Sequence, residues 1–184
     1  MNPSKRTGLF SLLLLLWMLY PNAAAASGPK IEISHMVMKN SKGTLLVDLK
    51  VDSEFSPEIN EAVLNGVPVR FTFIISLDEV QDFWFDTRIA SRTAIHELKY
   101  DVTKNTYKLT RSRGPLRPIY MDDFQNARLQ FSEISNLAVV ALKDLTRGEH
   151  YQLSVSAGLS IRKYAFFNLF REVKNDRYTI NFTH

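Results

Sequence analysis

The chain has 184 residues, 45% of them hydrophobic and 23% charged, which suits one globular domain with a sizeable core. Its net charge of +4 falls to +2 once Lys5 and Arg6 leave with the leader described next, too mild a surplus to argue for nucleic acid or an anionic membrane surface. There is no cysteine, which excludes disulfides, thiolate metal sites, thiol nucleophiles and a lipid-modified cysteine.

Residues 1–26 read as a secretory signal peptide. Lys5 and Arg6 supply the basic start, Leu9 to Tyr20 form an apolar run of 12 residues, and Ala23 to Ala26 supply small residues for cleavage after Ala24 or Ala26. A retained anchor wants ~20 apolar residues, and this run is shorter and is broken by Pro21 and Asn22. The expected mature protein is a single exported domain over residues 27–184, periplasmic in a Gram-negative cell or otherwise secreted.

Alternation of apolar and polar residues predicts a strand through Ile31, Ile33, His35 and Val37, a turn at Asn40 to Gly43, and a return strand through Leu45, Val47, Leu49 and Val51. Ser56 then caps a short helix, with Pro57 in its first position, Glu58 in its first turn, and Ile59, Ala62 and Val63 as its apolar stripe. Gly66 ends that helix in a left-handed conformation. The longest clean alternation follows, through Val67, Val69, Phe71, Phe73, Ile75 and Leu77, and the shorter runs need this strand as their partner. Phe83, Trp84 and Phe85 are bulky without alternation. Leu98, Tyr100 and Val102 pair as a hairpin with Tyr107, Leu109 and Arg111.

Arg111 to Pro118 holds three arginines, a glycine and two prolines, and reads as a loop. Asp122 is placed to cap a second helix whose face carries Tyr120, Phe124, Ala127, Phe131 and Ile134. A short strand over Leu137 to Leu142 and a turn at Arg147-Gly148 come next. The second cleanest strand runs through Tyr151, Leu153, Val155, Ala157 and Leu159, with Ser154 and Ser156 on its solvent side. An aromatic stretch at Tyr164 to Phe170, a polar turn at Lys174 to Arg177, and a strand through Tyr178, Ile180 and Phe182 close the chain. About eight strands joined by turns, with two short helices, predict a mainly β protein: an antiparallel β-sandwich, with an Ig-like arrangement as one form it can take.

The order of these features resembles the uncharacterised bacterial family known as domain of unknown function 4390. The resemblance is carried by Ala62 to Phe73, Leu98 to Leu109, Gly148 to Val155 and Tyr164 to Phe182, and covers nearly the whole mature chain. Order and spacing carry it, since each motif alone is a strand with a turn. The family often has tryptophan in its last hairpin, where this chain has Arg177-Tyr178. The resemblance implies export and a β fold but no activity, and it places membrane sensor kinases among the candidate partners.

The residues for catalysis are sparse. His35, His96, His150 and His184 show no metal-ligand spacing, and His35, in the apolar register of its strand, reads as a partly buried, hydrogen-bonded side chain. No nucleophile motif occurs. The one hydrolase reading uses Asp82 and Asp86, which flank Phe83-Trp84-Phe85 as two carboxylates around an aromatic platform. Arg111, Arg113 and Arg117 suit a phosphate, a lipid headgroup or an acidic partner, because guanidinium matches such groups bidentately. The expectation is therefore a non-catalytic binding module without a cofactor. Its partner would be a protein at the cell envelope, such as the extracytoplasmic part of a sensor kinase, with contacts at Arg111, Arg113, Arg117 or Trp84. Nucleic acid binding and stable membrane insertion after leader cleavage are not expected. A carrier of small apolar ligands or lipids is the alternative: a solvent-open cavity between the sheets favours it, whereas a filled core with an exposed apolar patch favours the partner-binding module.

Overall fold

The computed structural model describes residues 31–53, 55–114, 117–161, 173–174 and 177–184. The leader, the aromatic stretch at 164–170 and part of the turn that follows lie outside the described residues.

Strands β1 (Ile31–Ser41) and β2 (Thr44–Ser53) form a hairpin around Lys42 and Gly43, both at positive φ. Helix α1 (Pro57–Leu64) is capped by Ser56, whose side chain accepts from the Ile59 N–H, and its Ile59, Ala62 and Val63 are buried. Strands β3 (Val69–Glu79), β4 (Thr87–Asp101), β5 (Thr106–Arg111) and β6 (Ile119–Met121) then run up and down without a crossover. Helix α2 (Phe124–Phe131) leads into β7 (Glu133–Ala141), and β8 (His150–Ile161), β9 (Val173–Lys174) and β10 (Tyr178–Thr183) complete the chain. Every pairing is antiparallel.

Two sheets result. One has three strands in the order β1-β2-β7; the other has seven, in the order β10-β8-β3-β4-β5-β6 with β9 beside β8. Their facing side chains make one hydrophobic core, so the architecture is an antiparallel β-sandwich. The strand order is a meander wrapped by returning strands, different from the Ig arrangement. The organising strand of the sequence, β3, is paired along its length by β4 on one side and β8 on the other, and Val69, Phe71, Phe73, Ile75 and Leu77 are wholly buried. Phe71 stacks on Phe73 at 4.7 Å and meets Phe131 of α2 edge-on at 5.3 Å. The buried apolar side chains of the two sheets and both helices form one cluster, and both helices sit near the end where β3 begins.

Several expectations shift by a residue or a face. A β-bulge between Ile33 and His35 flips the rest of β1, so Met36 and Met38 pack on the core and His35 is exposed. The cap of α2 is Asp123, whose carboxylate accepts from the Asn126 N–H at 2.6 Å, while Asp122 is exposed. Tyr120 belongs to β6 and Ile134 to β7, leaving Phe124, Ala127 and Phe131 as the helical face. Val102 stands 73% exposed in the β4–β5 turn instead of extending β4. Ser154 is 2% exposed, beside its cross-strand partner Ser76 at 7%, so the outer face of the sheet is covered at this point.

Candidate functional site

Two features stand apart from the packed sandwich. The first is the β3–β4 loop. Phe83, Trp84 and Phe85 are 92%, 83% and 96% exposed, whereas most other large apolar side chains among the described residues reach the core. Isolated exposed apolar residues are ordinary, but three aromatics in succession form a patch. The base of the loop is held firmly. Arg88 pairs with Asp78, and the Val80 N–H donates to the His150 carbonyl at 2.8 Å. The buried Tyr151 hydroxyl donates to Glu79 at 3.2 Å and accepts from the Thr146 N–H at 2.9 Å. Across the loop, the Gln81 N–H donates to the Asp86 carboxylate at 3.3 Å. The aromatic tip is thus carried on a fixed stem, at the end of the sandwich opposite the helices; β3 alone spans roughly 33 Å at its usual rise.

Asp82 and Asp86 flank this tip, both exposed. Asp86 serves as an acceptor within the loop, and neither acid lines the clefts described next. Among the described residues no group of three or more His, Cys, Asp or Glu side chains is gathered as a metal site.

The second feature is a groove that follows from unequal sheets. Three strands cannot cover seven, so the inner face of β4 and β5 is left uncovered between α2 and the edge of β7. Two adjoining clefts occupy the gap, of about 290 Å³ and 370 Å³, with Arg113 and Ala138 lining both. Arg111 is half-buried; its Nη2 donates to the Gln130 carbonyl at 2.9 Å, and its Nε is buried without an acceptor. Burial pushes its guanidinium pKa down, and the nearby Glu133 carboxylate pulls it back up. Arg113 is exposed and donates through Nε to the Thr93 carbonyl at 2.8 Å. Arg92 donates through Nε to the Ala138 carbonyl at 3.3 Å. His96 closes the inner wall, with Nδ1 donating to the Phe131 carbonyl at 2.9 Å. Burial, aided by the Arg111 charge, lowers its pKa to about 4, so the ring is neutral near pH 7.

Of the three loop arginines, Arg111 and Arg113 therefore meet in one groove, while Arg117 is exposed outside its lining. Arg92, absent from the sequence-based candidates, joins them. Its signal was present: Arg92, His96 and Arg111 all occupy the inward register of the seven-stranded sheet, where Arg92 opposes Ile75 and His96 opposes both Phe71 and Arg111. A charged residue in a core register marks a place where the facing layer stops. A further cleft of about 340 Å³, beside Glu32, Lys50, Asp52 and Arg128, is charged in character.

Fold and site together describe a small antiparallel β-sandwich with an aromatic loop tip at one end and an arginine-lined groove along one side. The chain belongs to the family of the domain of unknown function DUF4390, whose family model matches residues 28–166. No curated protein and no solved structure matches it.

Proposed function

We propose that the protein is an exported, non-catalytic binding module that docks on a protein partner at the cell envelope through the β3–β4 loop tip. The observation that carries this reading is the near-complete exposure of Phe83, Trp84 and Phe85 on a stem fixed by Asp78–Arg88 and Glu79–Tyr151. Aromatic side chains supply large contact area, and tryptophan and tyrosine are common among the residues that dominate binding energy. A pre-formed stem lowers the ordering cost of association. The exposed carboxylates of Asp82 and Asp86 beside the tip disfavour an anionic membrane surface and suit an apolar pocket with a basic rim. The extracytoplasmic part of a membrane protein, such as a sensor kinase, is the partner class put forward.

The inward side chains of β3 and β8 are buried in one core cluster with those of the facing sheet, which speaks against the carrier reading, and the clefts beside that core are lined in part by Arg92, Arg111, Arg113 or Arg128. Export itself is tested by the mass of the mature chain, expected to begin between Ala25 and Gly28; an intact Met1 in the membrane fraction contradicts it. Docking is tested by placing a photo-crosslinking residue at Phe83 in the native envelope. A discrete protein adduct, missing when the same residue replaces Lys104 on the β4–β5 turn, is the expected result. Equal labelling from both positions contradicts a docking role for the tip.

A further inference from the structure

The groove between β4–β5 and β7 holds positive charge that the described residues neutralise only in part. Elsewhere on the seven-stranded sheet, arginines are matched with acids: Arg70 with Glu97 at 3.2 Å, and Arg88 with Asp78. Arg92, Arg111 and Arg113 are instead held by the backbone carbonyls of Ala138, Gln130 and Thr93, and among the described residues none of them makes a salt bridge. A carbonyl fixes a guanidinium in place but leaves its charge intact. Glu133 lines the groove and offsets part of the charge from beyond ion-pair distance. Arg111 is partly desolvated, and its buried Nε–H has no acceptor, a costly arrangement for a group that normally bonds through all its donors. Arg113 retains both terminal nitrogens beyond the Nε that binds Thr93. Opposite, β7 carries a bulge at Ser135 and Asn136, with Asn136 at φ 54° and its N–H taken by Asp48 at 2.7 Å. The bulge interrupts the regular pairing of β7 with β2 at this point, and the other edge of β7 has no strand partner among the described residues.

We infer that this groove binds an oxyanion, a carboxylate or phosphate group, between Arg111 and Arg113, with Arg92 adding charge at its outer end. The missing counter-charge for the three guanidiniums is then supplied by one ligand. This site is separate from the aromatic tip and does not depend on the docking reading.

The test is amide and guanidinium NMR on the folded protein, titrated with inorganic phosphate and, separately, with acetate, against chloride at matched ionic strength. Saturable shifts confined to Arg92, Arg111 to Gly114 and Ser135 to Ala138 are expected. Arg113→Gln should weaken binding about tenfold, as loss of one charge-assisted contact implies, with an unchanged melt. Glu133→Gln should strengthen it, which a purely structural role for these arginines does not predict. Co-sedimentation with phosphatidylglycerol vesicles, compared with phosphatidylcholine, separates the sources: Arg113-dependent pelleting identifies a lipid headgroup, and binding of free anion alone identifies a soluble ligand. Shifts that chloride reproduces, or that neither Arg113→Gln nor Arg92→Gln alters, overturn the site.

Discussion

Gly66 shows how one residue fixes the geometry that the rest inherits. It sits at φ +71° between α1 and β3, and an added Cβ there would approach the Tyr100 carbonyl oxygen to 3.2 Å. A β-branched side chain meets both the left-handed penalty and that contact, so Gly66→Val should destabilise by roughly 1 kcal/mol or more. Coincident thermal melts of the two proteins would contradict it. His96 gives a second test at this scale. Its folded pKa of about 4 lies below its ordinary 6.5, so the unfolded chain binds more protons between those values. The stabilising effect is complete above about pH 6.5 and is lost as pH falls toward 4, up to about 3 kcal/mol for a shift of this size. His96→Gln keeps a donor for the Phe131 carbonyl without titrating in this range, so urea denaturation between pH 7 and 4 should show a flatter slope in that variant. An identical slope would show that other groups set the acid response.

Among the elements, α2 carries the clearest test. Asp123→Ala removes the acceptor for Asn126 N–H and should cost about 1 kcal/mol, while Asp122→Ala should change little, as read from denaturant midpoints. The reverse order would move the helix start by one residue. The two adjacent aspartates explain why sequence alone chose the wrong cap: both precede the apolar stripe, and only the turn geometry separates them. The strands were legible where one face is buried and the other wet, as in β2 and β3, because alternation then records the environment directly. It failed at His35, since a bulge leaves no distinctive residue behind, and at Ser154, since the outer face is covered there and at its partner Ser76 while the polar residues still alternate. The groove was half legible. The arginines of the loop pointed to it, and Arg92 shares the inward register of β4, but the β7 edge comes from a distant pairing that no local pattern reports.

At the scale of the whole molecule, unequal sheets and a fixed stem set where the surface is available for contact. The three-stranded sheet and α2 cover most of the inner face of the seven-stranded one, and the uncovered remainder becomes the arginine groove. The far end carries the aromatic tip, whose side chains make no contribution to the core and so can be changed without unfolding the domain. Among the described residues no helix is long and apolar enough to cross a membrane. The most direct test of the docking account is a crosslinked pull-down from the envelope fraction with the triple variant Phe83→Ser, Trp84→Ser and Phe85→Ser, its thermal melt recorded on the same preparation. The account predicts an unchanged melt and loss of the partner recovered by the native protein, since truncating aromatic anchors commonly costs ~2 kcal/mol or more at an interface. Full recovery of that partner with an unchanged melt would contradict it.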